Sequence, residues 1–363
     1  MRMRSRTLLK AALSALHYSG ADGLIAPLTS GNGVIFMLHH VRPAQPSGFS
    51  PNGILQITPA FLESVILQVK AAGFDCIALD DVPKRLKSPV PARPFAVFTL
   101  DDGYRDNRDH AYPVFKRHNV PFTIYVSSDY ADGKGDLWWL SLEEALRGLR
   151  RVQLDMRGEL RSFALTNDAE RTAAFDEIYW WLRALPEPDA RAVVLNLSRQ
   201  AGLDPKAPCR DLVMTWDELR ELAADPLVTI GAHTTGHFAL SKLDAQQARS
   251  EIADSVARVS AELGKSCRHF SYPYGCEDSA GEREFEMARG LGLATAVTTR
   301  KGLVHTRHQD TLTALPRLSL NGDFQDLRYV KVLLTGVPFA LLKAVQRWKR
   351  RRSGAPAAGT AAA

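Results

Sequence analysis

Only four cysteines occur in 363 residues, and none forms a CxxC pair. Cys76, Cys209, Cys267 and Cys276 therefore define neither a disulfide framework nor a thiolate zinc site, and they do not fix a compartment. Long apolar runs are missing too. The tail stretch from Val332 to Val345 is interrupted by Pro338 and Lys343 and falls short of the roughly 20 residues that span a bilayer. A secretory signal is poorly supported, because Lys10 breaks the series Leu8, Leu9, Leu13, Leu16 and no small-residue cleavage site follows cleanly. No internal repeat is visible.

Excess charge in the middle of the chain is the next absence. The net charge is +6, but Arg2, Arg4, Arg6 and Lys10 crowd one end, and Lys343, Arg347, Lys349, Arg350, Arg351 and Arg352 crowd the other. A basic nucleic-acid groove through the domain is excluded on that distribution, and no recognition motif accompanies the charge. The basic ends are compatible with peripheral membrane contact through a short amphipathic helix, and equally with solvated terminal helices. With no clear signal peptide, a cytoplasmic or membrane-peripheral location is the expectation.

What is present reads as an ordinary globular domain, with 45% hydrophobic and 24% charged residues. Short apolar, β-branched runs recur at Val34–Leu38, Phe95–Leu100, Phe122–Val126, Leu227–Ile230, Phe270–Tyr272, Ala294–Thr298 and Leu318–Leu320. Each has the character of a buried parallel strand. Helical stretches separate them. Thr58-Pro59 before Phe61, Leu62, Val65, Ile66 and Val69 reads as an N-cap with proline at the first helical position, and Asp244 to Leu263 holds no Gly or Pro. The alternation implies an α/β fold with a parallel sheet that can close into a barrel. Residues 138–225 break the rhythm and are expected to be a mostly helical insertion. Residues 1–30 form a basic arm, 31–325 the main domain, and 326–363 a basic helix with a low-complexity, disordered tail.

Three blocks follow strand candidates. Asp101-Asp102-Gly103 ends a strongly apolar run, where α/β folds collect ligands and reacting groups. Neighbouring carboxylates leave the backbone in different directions, so one can hold a metal while the other faces substrate. Alone, such a triplet is equally a helix-capping turn. His233 and His237, four apart in Gly231-Ala232-His233-Thr234-Thr235-Gly236-His237, can reach one ion from one side. Alone, they are equally loop histidines. The third block, Arg268-His269-Phe270-Ser271-Tyr272-Pro273-Tyr274-Gly275, ends in a turn able to aim a backbone N–H at developing negative charge, and alone is equally a plain strand-ending turn.

In this order the three blocks resemble the polysaccharide deacetylases of carbohydrate esterase family four, which share the nodulation-protein-B homology domain. The resemblance runs over about residues 31–325 and implies a distorted (β/α) barrel with an incomplete strand count. It implies Asp101 as the base, Asp102, His233 and His237 as metal ligands, and the Tyr274 N–H as an oxyanion donor. Zinc is the default ion for such ligands, with cobalt and nickel fitting the same set. Two departures stand out. The late Leu-x-His motif of the family is not evident, and His305 and His308 look like loop residues. Met37-Leu38-His39-His40-Val41 instead resembles an early Tyr-His-x-Val motif of one branch, so His39 is assigned as the acid with His40 its competitor. Ser271 stands where many members carry an arginine that orients the base. Arg317 is the candidate to supply that charge, and Arg268 a weaker one. The aromatics Trp138, Trp139 and Tyr104 suit either a sugar-stacking platform or core packing.

The expected activity is metal-dependent removal of N-acetyl groups from an oligo- or polysaccharide containing N-acetylglucosamine, as in chitooligosaccharide deacetylases. A catalytically silent carbohydrate-binding relative and a C–N hydrolase acting on a lipid-linked amino sugar are the alternatives.

Overall fold

The computed structural model describes residues 3–44, 48–88 and 93–352. The apolar runs become seven parallel strands: β1 (Gly33–Leu38), β2 (Phe95–Leu100), β3 (Phe122–Val126), β4 (Val228–Ala232), β5 (His269–Ser271), β6 (Thr295–Lys301) and β7 (Leu315–Ser319). Their order around the sheet is β1-β7-β6-β5-β4-β3-β2. β2 pairs back onto β1 along its whole length, from Gly33 opposite Phe95 to Leu38 opposite Leu100, and this closes the barrel. One strand is missing relative to a regular eight-stranded barrel. The other edge of β2 is shared, with Asp75–Cys76 pairing to its start and β3 to its end. A register shift between β6 and β7 adds to the distortion.

Strand alternation decides which residues face the barrel interior. Val34, Phe36 and Leu38 of β1 and Ala96, Phe98 and Leu100 of β2 point outward into the main core with Leu62, Val65 and Ile66 of the helix Pro59–Ala71. Ile35, Val97, Tyr125, Val297 and Leu315 form a separate interior cluster. The same period carries Thr99 and then Asp101 inward along β2. The helix Pro59–Ala71 starts as its sequence signals, the Thr58 hydroxyl accepting from the Phe61 N–H at 3.2 Å. Likewise Asp244 caps the helix Ala245–Leu263 by accepting from Gln247 N–H at 2.8 Å.

The insertion is helical at Trp138–Gly148, Asp168–Ala184 and Glu187–Gln200, with its own core around Trp139, Leu146 and Ile178. It also contains an antiparallel hairpin, Arg151–Met156 with Glu159–Ala164, that the reading of a strand-poor insertion missed. The turn residues Arg157 and Gly158 both have positive φ, 64° and 81°, as a tight two-residue hairpin turn requires. Val152 and Leu154 are buried between exposed neighbours, the period-2 signal that gives the strand away.

Both termini are helical where described. The helix Met3–Ser19 buries Leu13 against Tyr329 and Val332 of the helix Leu327–Leu334. Ala21–Thr29 follows, and the Thr29 hydroxyl donates to the Thr335 carbonyl at 2.7 Å beside the last helix, Val337–Arg352. The expected disordered tail, 353–363, lies outside the described residues, as do the side chains of Arg2, Arg4, Arg347, Lys349, Arg350, Arg351 and Arg352. Among the described residues no helix is long and apolar enough to cross a membrane.

Candidate active site

The C-terminal end of the barrel gathers the ionisable groups. Asp101, inward-facing beyond the end of β2, is buried against Arg317 of β7. The guanidinium is bidentate, Nη1 to Asp101 Oδ1 at 2.8 Å and Nη2 to Oδ2 at 2.7 Å. Its remaining donors are also used: Nε reaches the Thr298 carbonyl at 2.9 Å, Nη1 the Thr99 hydroxyl at 3.1 Å, and Nη2 the Ser271 hydroxyl at 3.0 Å. Every hydrogen-bonding edge of a fully buried cation is thus occupied, which a buried ion pair needs. Burial pushes the Asp101 carboxyl up, but the Arg317 charge and hydrogen bonds outweigh it and hold the group below its ordinary range. Ser271 occupies the wall of the same pocket, so a small hydroxyl leaves room for an arginine arriving from β7. Arg268 pairs instead with Asp80 at 3.1 Å and has no part in this network.

Asp102 points elsewhere because its backbone turns over, with φ 73°. His233 and His237 follow β4, and their Nε2 atoms face Asp102 Oδ1 at 3.5 and 3.3 Å. All three residues are buried, and their donor atoms lie within 4.8 Å of one another. Bonds of about 2.0–2.1 Å at tetrahedral angles would set ligand atoms about 3.3 Å apart, so the spacing fits a small divalent ion. His233 Nδ1 is 2.6 Å from the Ser271 carbonyl, which fixes that nitrogen as the N–H and leaves the Nε2 lone pair facing Asp102. Asp102 Oδ1 is buried with no hydrogen-bond partner among the described residues. Burial lowers His237 to about 4, so its ring is neutral and able to act as a ligand. The aromatic rings of Tyr130, Trp139 and Tyr274 box His237 in, with centroids 5.6, 5.0 and 5.0 Å away.

Backbone strain marks the same region. Among the described residues six non-glycine residues have positive φ, and Asp102, Thr234, His237 and Tyr274 are four of them. Such conformations persist only where surrounding contacts enforce them. The Thr234 hydroxyl accepts from the His237 N–H at 2.9 Å, and Glu251 Oε2 accepts from the Thr235 and Gly236 N–H groups at 3.0 and 2.9 Å.

The two candidate histidines separate cleanly. His40 is buried, with Nδ1 2.6 Å from Asp106 Oδ2 and its ring stacked 3.6 Å from that of Tyr104. His39 lines the cavity with Asp101 and Asp102. Burial pushes His39 down, opposed by the charges of Asp102 and Asp101. Tyr274 also lines this cavity of about 390 Å³. Its carbonyl accepts from the Thr299 hydroxyl at 2.6 Å, and its hydroxyl accepts from Trp138 Nε1 at 2.8 Å.

Of the three aromatics singled out as a sugar platform, Tyr104 is fully buried and Trp138 is taken up by Tyr274; only Trp139 lines the cavity. The residues that sequence reading missed come from the insertion. Asp176, Tyr179, Trp180 and Arg183 line the opening at helical i, i+3, i+4, i+7 spacing along Asp168–Ala184. That spacing was legible, but nothing in it distinguishes a cavity wall from a core stripe. Arg191 secures the histidine loop from the next helix, donating to the Gly236 carbonyl at 3.0 Å.

A closed parallel barrel with its charged groups at the strand ends has the architecture of a (β/α)-barrel enzyme. Residues 156–294, which include His233, His237 and Tyr274, match the family model for polysaccharide deacetylase. The fold is similar to the Streptococcus pyogenes deacetylase PplD in complex with acetate, with TM-score 0.54, 14% identity, and coverage of 83% of this chain and 97% of that one. It is also similar to IcaB from Ammonifex degensii, with TM-score 0.51, 17% identity and coverage of 85% and 97%. A de-N-acetylase from Aggregatibacter actinomycetemcomitans gives TM-score 0.52, 15% identity and coverage of 83% and 99%. No curated protein sequence matches the chain significantly. The family model thus covers the stretch that carries His233, His237 and Tyr274, and the likeness to these solved structures extends the shared fold over most of the chain.

Proposed function

We propose that the chain hydrolyses the N-acetyl group of N-acetylglucosamine units in an oligo- or polysaccharide, releasing acetate, with a divalent metal held by Asp102, His233 and His237. The observation that carries this reading is the pairing of an ionised, clamped Asp101 with an adjacent Asp/His/His set whose buried Asp102 Oδ1 has no hydrogen bond. When bound, the ion polarises the acetamide carbonyl and brings the pKa of water toward about 7. Zinc suits these donors first, and cobalt or nickel shares them.

Asp101 takes the proton from the attacking water, and Arg317 keeps its carboxylate charged and aimed. Arg317 is thus a positioning residue. The Tyr274 backbone N–H donates to the oxygen that gains negative charge during attack. His39 hands a proton to the departing amine, and the negative charge developing beside it favours its protonated form. Trp139, Tyr179 and Trp180 offer ring faces on which a sugar stacks. A silent binding relative would have no use for an open metal position beside Asp101, so the intact Asp102, His233 and His237 set argues against that reading.

The test is acetate release from chitooligosaccharides by metal-loaded protein, with metal content measured alongside. His233→Ala is expected to lose both metal and activity, and Asp101→Asn to keep the metal while turnover falls by about 100-fold or more. Near-normal turnover in Asp101→Asn would refute the base assignment. Metal-loaded protein inactive on every amino sugar would favour the silent relative.

A further inference from the structure

A second cavity, of about 590 Å³, lies against the first and shares Cys276 and Thr299 with it. From those two residues it extends to Leu28, Phe339 and Leu342 on the terminal helices. Its lining holds Arg300, Lys301, Arg307 and Lys343 against a single carboxylate, Glu277. Among the described residues Arg300, Lys301 and Arg307 form no ion pair, and Lys301 and Arg307 are exposed. The positive field is strong enough to act with burial on His308, lowered to about 4 by burial, Arg307, His305 and Lys343. Arg300, Lys301 and Arg307, without an ion pair beside a reaction site, are chemistry suited to phosphate.

The far end of this cavity opens on an unusual surface. Of the fourteen large hydrophobic residues exposed among the described residues, ten lie on the helices Met3–Ser19, Ala21–Thr29 and Val337–Arg352. Leu8, Leu24 and Leu28 are 71%, 85% and 88% exposed, and Leu342 and Trp348 are 50% and 54% exposed. The first and last of these helices contain no acidic residue, and their sequences carry Arg4, Arg6, Lys10, Lys343 and a basic run ending at Arg352. Apolar exposure combined with one-signed positive charge suits helices lying at the surface of an anionic bilayer. Arg6 of the first helix also lines the catalytic cavity, so this surface and the reaction site adjoin.

We infer that the terminal helices rest on an anionic membrane and that the basic cavity seats the phosphate of a lipid-linked N-acetylated sugar, whose acetamide enters the adjoining catalytic cavity. The inference rests on the deacetylase reading above and names its substrate class. The bond broken is the same acetamide C–N bond, water supplying the hydroxyl to acetate and the proton to the amine.

Three measurements on the full chain test it. Wild type should sediment with vesicles of phosphatidylcholine containing phosphatidylglycerol and not with phosphatidylcholine alone. Leu24→Glu/Leu28→Glu, two exposed positions, should lower that binding by about tenfold or more. Lys301→Glu/Arg307→Glu should raise KM for a short prenyl-diphosphate-linked N-acetylglucosamine by about tenfold or more, while acetate release from a soluble N-acetylglucosamine tetramer stays unchanged. Wild type that ignores anionic vesicles, or charge reversal that affects both substrates equally or neither, would overturn the inference. Failure of wild type on both the tetramer and the lipid-linked sugar, with vesicle binding intact, would instead count against the deacetylase reading.

Discussion

Arg317 is the residue on which the site's electrostatics turn. A buried carboxylate without a partner is costly, and Asp101 remains ionised because the guanidinium meets both its oxygens. Arg317→Met removes the strongest of the influences that hold Asp101 down against burial, so its carboxyl rises. In the proposed role of base, Asp101 with a raised pKa loses activity from a higher pH downward. The acidic limb of kcat/KM is therefore expected to move to higher pH in the variant, and stability to drop by about 3–5 kcal/mol, the usual cost of stripping one partner from a buried pair. Arg317→Lys restores the charge without the fork and should return part of the pH shift while kcat stays low. A pH profile identical to wild type in Arg317→Met would show that the pair does not set the ionisation of Asp101. The sequence exposed Arg317 only as a candidate, because β7 and β2 lie 216 residues apart along the chain and nothing local records that they face each other.

At the scale of the element, the strand ends and the turns after them do the positioning. Gly275 has φ 54°, and a Cβ placed there would lie 2.6 Å from the Thr299 backbone nitrogen. Gly275→Ala should cost about 1–3 kcal/mol and shift the Tyr274 N–H, so kcat should fall with little change in KM; thermal melts and steady-state kinetics check both halves. A variant with wild-type kinetics would remove Tyr274 from the chemistry. Elements with strong local signals were legible: β2 and β3 fall on the residues their apolar runs predict, and Thr58 and Asp244 cap the helices they announce. Asp102, His233 and His237 were legible through spacing at the ends of apolar strands. Less legible were features set by distant contacts. The choice of His39 over His40 depends on Asp106 and Tyr104 occupying His40, and the hairpin at Arg151–Ala164 lies inside a region dominated by helical periodicity. The cavity wall from Asp168–Ala184 depends on how the insertion packs over the barrel mouth, which no helix announces in its own sequence.

For the whole molecule, two linkages tie stability to solution conditions. Glu218 joins the segment after β2 to the helix Trp216–Leu222, taking Arg105 and Arg108 at 2.9 and 2.6 Å. Burial pushes its carboxyl up, yet Arg105, the Thr215 N–H and Arg108 prevail and bring it to about 2. The unfolded chain takes up that proton near the ordinary glutamate value of about 4.3, so the contribution is complete above that pH and disappears as pH falls toward 2. Solvent screening at this partly exposed site limits it to about 1 kcal/mol. Glu218→Gln should lower the melting temperature at pH 7 and leave it unchanged near pH 2. The second linkage belongs to the proposed metal site at Asp102, His233 and His237. An ion that binds only the folded chain stabilises it by RT ln(1 + [L]/Kd), about 2.7 kcal/mol at a hundredfold excess over Kd. His237, lowered to about 4, carries no proton for the ion to displace at neutral pH, whereas the unfolded imidazole titrates near 6.5. Native stability from this group is therefore present above about 6.5 and declines as pH falls toward 4, and metal stabilisation should fade over the lower part of that range. Melting curves with zinc and with a chelator, at pH 7.5 and pH 4.5, should show a clear shift at the higher pH and a much smaller one at the lower. Asp101→Asn should keep the zinc-dependent shift and His237→Ala should abolish it; equal shifts in both variants would place the ion somewhere other than Asp102, His233 and His237.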